Sequence, residues 1–204
     1  MEALNPVQRR IHQAALRLFA EKGVSQVNIS DLAQEAGVAR GTIYNNVDSI
    51  EQLFQQVASQ LSKEMHQRVS RSFAGVEDPA QRLANGIRFF VRRTHEEPQW
   101  GIFLSRFAMS EASLREMFYS QAALDLMNGL QAGRYQFRHE QMVSVISLIS
   151  GSTLAAMFLV LEGLKTWREA GSDIAEMILR ALGLPDQEAR SLATTDLPPL
   201  HTLD

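Results

Sequence analysis

The chain has no cysteine among its 204 residues, which excludes disulfides, thiol nucleophiles and thiolate metal sites and suits a reducing compartment. It also lacks an excess of positive charge. Twenty Lys and Arg against 23 Asp and Glu leave a net charge of -3, so polyanions are not held by bulk charge and any nucleic-acid contact has to be local and shaped. His12, His66, His95, His139 and His201 are scattered, with no metal-ligand spacing. Nor is there a nucleophile elbow or a phosphate-cradling glycine loop, so neither enzymatic activity nor a cofactor or metal is expected. His12 reads as a surface residue of the first helix. Residues 1 to 23 carry Arg9, Arg10, Arg17, Glu21 and Lys22 without an uncharged apolar core. That is not a secretory signal, and the expected location is the cytoplasm.

What is present is helical patterning. Hydrophobic residues make up 45% of the chain, enough for a real core, and they recur at helical spacing with no useful run of period two. The expected class is all-α. Asn5 and Pro6 start a first helix that ends at Lys22 before Gly23, with Ile11, Ala14, Ala15, Leu18 and Phe19 buried. Asn28, with Asp31 three residues on, caps a second that stops at Gly37. A third covers residues 39 to 47. A fourth begins at Asp48, with Glu51 at the box position, and runs on to about Phe73. The breaker GVEDPA at 75 to 80 is the clearest internal boundary. Beyond it, helices are expected over 79 to 94, 99 to 109, 113 to 132, 140 to 164 and 172 to 182, with an irregular tail after Ala193. The division that follows is a small N-terminal domain over 1–48, a long connecting helix over 49–74, a larger helical domain over 75–195 and a tail over 196–204.

The run from Gln141 to Leu161 carries no charge and matches the roughly 20 residues that a bilayer requires. Ser144, Ser147, Ser150, Ser152 and Thr153 dilute it, and Glu140 and Glu162 flank it where a positive flank would set orientation. A helix buried on most sides is the preferred reading, and no membrane partner is expected.

The stretch GVARGTIYNNVDSIEQLF, residues 37 to 54, raises a different question. At about 100° per residue, Ile43 and Val47 point to one side of the third helix. The opposite side is centred on Gly41 and Asn45 and flanked by Thr42 and Tyr44, with Arg40 at the start. An exposed mid-helix glycine costs about 1 kcal/mol of helix propensity, which a close backbone approach by a partner would explain. The neighbours suit a duplex: Arg forks onto guanine or phosphate, Asn pairs with adenine, and Thr and Tyr hydroxyls reach phosphate. The preceding helix would cross the backbone as in a helix-turn-helix.

The residues AALRLFAEKGVSQVNISDLAQEAGVARGTIYNNVDSIEQLF, Ala14 to Phe54, resemble the amino-terminal domain of the tetracycline-repressor (TetR) family of bacterial transcriptional regulators. The pattern comprises Phe19, Gly23, the capped helix with Leu32-Ala33, the Ala36-Gly37-Val38 turn and Gly41-Thr42-Ile43-Tyr44. Beyond it the likeness is architectural, with local echoes in QAGRYQF at 131 to 137 and ILRALGLPDQEA at 178 to 189. The resemblance implies a helix-turn-helix domain followed by a larger ligand-binding and dimerisation domain. It also implies DNA contact by Ser30, Arg40, Gly41, Thr42, Tyr44 and Asn45. The family's usual mode is repression, with a homodimer leaving an operator, commonly an inverted repeat, when a small molecule binds. Departures stand at Asn46-Val47, where members commonly end an aromatic pair in Phe, and at Ile50, where a lysine commonly grips the backbone. Residues 1 to 60 hold five cations against six carboxylates, so weak non-specific binding is expected. The alternative is a helical small-molecule-binding or interaction protein whose reading face has decayed.

Within 75–195, large soft side chains concentrate, among them Phe89, Phe90, Trp100, Phe103, Phe107, Met117, Phe118, Met127, Met157 and Phe158. They are read as core or, as the resemblance implies, as the lining of a pocket for a hydrophobic or aromatic ligand. Arg106 either meets an anionic ligand group or turns to the surface or to Glu111; Glu162 would instead recognise a cation. The ligand's charge stays open. For dimerisation, Gly151 with Ala155 places small residues one turn apart, and Ile174, Met177, Ile178 and Ala181 offer an apolar stripe. The corresponding family helices pack as a four-helix interface between mates; the alternative is that these faces bury each other within one chain.

Overall fold

Asn5 opens the first helix, α1 (Pro6–Lys22), through a reciprocal box: its side chain accepts from the Gln8 amide at 2.9 Å, and Gln8 Oε1 accepts from the Asn5 amide at 3.1 Å. That pairing satisfies donors which a helix start leaves open. In a computed structural model describing residues 4–201, nine further α-helices follow: α2 (Ile29–Ala36), α3 (Arg40–Tyr44), α4 (Ile50–Ser72), α5 (Pro79–Glu96), α6 (Pro98–Phe107), α7 (Ala112–Gln131), α8 (Met142–Leu161), α9 (Trp167–Ala181) and α10 (Asp186–Thr194). Among the described residues there is no strand, and the all-α class holds.

Several boundaries move, each for a local reason. The cap of α4 is Ser49, whose hydroxyl accepts from the Gln52 amide at 3.1 Å, rather than Asp48. The third helix closes at Tyr44, where Asn46 Nδ2 donates to the Thr42 carbonyl at 2.8 Å and ends the ladder. α9 starts five residues earlier than expected because Thr166 and Glu169 form a capping box. α10 occupies sequence for which no helix was expected, and its last residue, Thr194, enters the tail read as irregular. It buries Ala189 and Ala193, and Asp186 and Glu188 in its first turn complement the helix dipole.

Packing joins the first four helices to the rest rather than separating them. One apolar core runs from Ile11, Phe19 and Ile43 through Leu53 and Met65 of α4 to Phe89, Trp100 and Phe103. An aromatic relay crosses it. Phe54 lies with ring centroids 5.5 Å from Phe19, 5.6 Å from Phe103 and 4.9 Å from Phe107, and each such pair adds about 0.5–1.5 kcal/mol beyond area burial. A second core joins α5, α8, α9 and α10 around Leu83, Ile146, Ile178 and Leu179.

Polar clamps fix the long helices. Arg93, 1% exposed, donates to Glu64 at 2.6 Å and Glu97 at 2.9 Å and lies over the Trp100 ring at 4.5 Å. Arg68 reaches the same two carboxylates, and its Nε donates to the His201 carbonyl at 2.9 Å. The Glu97 carboxyl loses solvation on burial, yet Arg93 and Arg68 hold it below the usual carboxylate range. Arg134 forks onto Asp78 and reaches Glu188, tying the turn after α7 to the starts of α5 and α10. His12 is half-buried, not a free surface residue; its Nδ1 lies 2.7 Å from Gln60 Oε1 across α1 and α4.

α8 is long and apolar enough to cross a membrane by length and composition, yet it packs against α5, α6, α7 and α9. Only about a third of its apolar window is buried. Its outer side exposes Val143, Leu148 and Phe158, so burial on most sides within one chain does not describe it.

Candidate nucleic-acid interface and ligand cavity

Gly37, with φ of 63°, makes the turn between α2 and α3 in the left-handed conformation that favours glycine. Arg10 Nη2 donates to its carbonyl at 2.7 Å and pins that turn to α1. Ile43 and Val47 are buried as their spacing predicts, which turns Arg40, Gly41, Tyr44 and Asn45 outward. Tyr44 is 68% exposed. Thr42 and Ser30 are partly covered, Ser30 in the first turn of α2, where its amide donates to the Asn28 side chain.

The cations of this module are spoken for, with one exception. Arg9 donates to the Leu4 carbonyl, Arg10 to Gly37, Arg17 pairs with Glu35 and Lys22 with Asp31. Among the described residues Arg40 has no hydrogen bond or ion pair, and a Cβ built on Gly41 meets nothing within 4 Å. The face therefore presents a free guanidinium, a bare stretch of backbone, a phenol and an amide. Asn46 is occupied with the α3 carbonyl and Val47 is core.

A cavity of about 50 Å³ opens between α4, α5, α7 and α8. Val69 and Phe73, Leu83 and Phe90, Met117 and Phe118, and Ile149 supply apolar walls. Its polar end is an ion pair: Arg82 Nε donates to Asp125 Oδ1 at 2.7 Å, and the guanidinium lies 4.5 Å over the Phe73 ring. Gln121 Nε2 stands 3.2 Å from both Asp125 oxygens. Asp125 is 1% exposed; burial pushes its carboxyl above the usual range, while Arg82 and Gln121 pull it down.

The residues singled out in the sequence fall in different places. Phe118 lines this cavity. Phe89, Trp100, Phe103 and Met157 are fully enclosed in the core, and Phe107 packs between Phe54 and Phe103. Met127, Phe158 and Glu162 are on the outer surface. Arg106 faces neither a ligand space nor Glu111; its Nη1 donates to the carbonyls of Ala20 and Glu21 at the end of α1. Gly151, Ala155, Met177 and Ala181 are exposed, Ile174 is partly covered, and Ile178 is buried inside the chain. Arg82, Gln121 and Asp125 were missed. The available signal was a lone carboxylate inside the apolar run AALDLM, the same kind of signal that drew attention to Arg106.

A short exposed third helix, pinned by two others and carried on a helical body, defines a helix-turn-helix regulatory protein. Residues 11–57 match "Bacterial regulatory proteins, tetR family", and residues 78–195 match "Tetracyclin repressor-like, C-terminal domain". The chain belongs to the TetR family of transcriptional regulators. It is 29% identical over 89 residues to an uncharacterized HTH-type transcriptional regulator of Mycobacterium tuberculosis, covering 44% of each chain. It is 32% identical over 81 residues to the fatty acid metabolism regulator protein of Bacillus subtilis, covering 38% of this chain and 42% of that one. These matches thus span less than half the length of the curated relatives. Among solved structures, RolR in complex with resorcinol matches at 28% identity and a TM-score of 0.74, covering 96% of both chains.

Proposed function

We propose that the protein is a homodimeric, sequence-specific repressor that acts in the cytoplasm and leaves an inverted-repeat operator when a small hydrophobic or aromatic molecule occupies the cavity between α4, α5, α7 and α8. The observation that carries the DNA-reading part is the unpartnered Arg40 beside the unobstructed Gly41 on an exposed helix, when every other described cation of residues 4–48 is engaged. Arg40, Thr42, Tyr44 and Asn45 touch base edges or phosphates, and Ser30 a phosphate.

A five-residue reading helix spans few base pairs, so useful specificity requires two copies. The outer face of α8, with Val143, Leu148, Gly151, Ala155 and Phe158, together with Met177 and Ala181 of α9, supports a second copy of this chain as the occupant. The small residues let helices approach, and exposed apolar area of this kind marks an interface. For the ligand, support comes from the apolar cavity and from RolR, which was solved with resorcinol. A ligand that favours a cavity shape incompatible with operator spacing shifts the population away from DNA.

The test is selection and sequencing of genomic fragments retained by the purified dimer, with Arg40→Ala, Asn45→Ala protein alongside. An enriched inverted repeat lost in the variant is expected. Unenriched retention by both proteins overturns the ligand-free repressor, leaving either a regulator that needs its ligand to bind DNA or a ligand-binding protein whose reading face has decayed.

A further inference from the structure

We propose that the cavity recognises an uncharged single-ring aromatic bearing a hydroxyl, and that the Arg82–Asp125 pair reads that hydroxyl. This rests on the ligand reading above and adds the chemical class. Neither candidate that left the ligand's charge open in the sequence lines the cavity: Arg106 is bonded to α1 and Glu162 is on the outer surface.

Charge balance comes first. The lining contains one guanidinium and one carboxylate, 2.7 Å apart, and no other ionisable side chain. A ligand carboxylate would compete with Asp125 for Arg82, and a ligand ammonium would compete with Arg82 for Asp125. Either leaves an uncompensated charge in a largely buried place, which is strongly disfavoured. A neutral ligand leaves the pair intact.

Open valences come second. Only Nε of Arg82 is engaged among the described residues, so its two terminal nitrogens retain N–H groups without an acceptor. Asp125 Oδ2 accepts from a single Gln121 amide nitrogen that it shares with Oδ1. A hydroxyl is the smallest neutral group that donates to a carboxylate oxygen and accepts from a guanidinium at once.

Shape and size come third. Phe73, Phe90 and Phe118 are in the lining, the last two with ring centroids 4.6 Å apart, and aromatic walls favour a flat apolar body. The space of about 50 Å³ holds a few waters at most. A ring enters only if side chains in the wall move, and the unbranched Met117 and Gln121 are the ones whose rotation would make room.

The test is calorimetric titration of the full chain with four probes: toluene, phenol, benzoate and benzylamine. Phenol is expected to bind about tenfold or more tightly than toluene, as a hydrogen bond to a charged group allows, and both ions more weakly than phenol. In Asp125→Asn protein that margin is expected to shrink to about threefold or less, with toluene affinity retained. The ranking on the unmodified protein needs no variant to fold. Gly86→Ala reports occupancy of the cavity, since its added methyl would stand 3.8 Å from Phe73 in the cavity wall. Toluene or benzoate binding best, and weakened by Gly86→Ala, overturns the proposal while the cavity reading stands. An unchanged phenol margin in a folded Asp125→Asn protein overturns it as well. No binding by any probe overturns both.

Discussion

Arg106 of α6 is bonded to Ala20 of α1: its Nη1 lies 3.2 Å from the Ala20 carbonyl oxygen and at the same distance from that of Glu21. The contact joins the body to the end of the helix on which the reading module is built. Two residues beyond Glu21 is Gly23, with φ of 82°, and a Cβ built there would stand 2.9 Å from Arg106 Nη2. The absence of a side chain at Gly23 is what lets the guanidinium sit over the helix end.

Gly23→Ala is therefore expected to cost about 1–3 kcal/mol, combining a positive-φ penalty with the displaced guanidinium. In an Arg106→Ala background the cost is expected to drop to that of the backbone alone, about 1–2 kcal/mol. A double-mutant cycle from urea melts measures the difference. Additive costs would mean that the two residues do not communicate.

Gly41→Ala separates stability from recognition. Among the described residues nothing obstructs the added methyl, so the free protein is expected to gain up to about 1 kcal/mol of helix stability. Affinity for fragments enriched in the selection is expected to fall, because under the proposed docking the methyl would stand where DNA approaches. Arg40→Ala is expected to weaken binding and to flatten the slope of log affinity against log salt by about one, as for loss of one phosphate contact. Anisotropy titrations at several salt concentrations read both. Unchanged affinity in Gly41→Ala would mean that the backbone is not approached.

His12 is expected to make α1–α4 packing sensitive to pH. Burial lowers its pKa from 6.5, against an upward pull from Gln60. Between the lowered folded value and 6.5 the unfolded chain binds more protons than the folded one, so stability is fully present above 6.5 and declines as pH falls through that window. Melting temperatures at pH 7, 6 and 5 are expected to drop more steeply for the wild type than for His12→Gln. Parallel slopes would assign the pH dependence elsewhere.

Gly129→Ala inverts the usual helix rule. Within α7 a glycine-to-alanine change normally stabilises, but here the Cβ would lie 1.9 Å from the Tyr135 ring. Moving a buried ring costs about 1–3 kcal/mol or more, and a net loss in the denaturation midpoint is expected. A rise in the midpoint would show that Tyr135 repacks freely.

The parts of this fold legible in the sequence are those that chemistry marks locally. Asn5 with Pro6, Asn28 and Gly37 each have a single function at a helix end, and Ile43 with Val47 fixes which side of α3 faces out. The start of α9 had its signal too, in the Thr166–Glu169 box, but the apolar stripe read from Ile174 onward drew the boundary late. The cavity had no comparable mark. α7 is apolar on several sides, so periodicity does not say which face looks onto empty space. Whether Phe103 or Phe118 meets a void depends on neighbours from α4, α5 and α8 that are remote in sequence. Arg106, which was singled out, and Asp125, which was missed, are both lone charges in apolar runs; only packing sends one to a helix end and the other beside Arg82.

The segment after α10 returns to the middle of the molecule. Leu200 is buried, Ser72 Oγ donates to the Pro199 carbonyl and accepts from the His201 amide, and Arg68 Nε donates to the His201 carbonyl. Arg68 and His201 are 133 positions apart. Contacts so distant in sequence close after the local ones, because their loop entropy is offset only once the intervening chain is ordered. During synthesis α1 to α4 emerge before the segment around His201 and can pack around Phe19 and Leu53 ahead of it. The helix linking reader to body is thus completed by residues far downstream of it, and Arg68 stays without its third partner until they arrive.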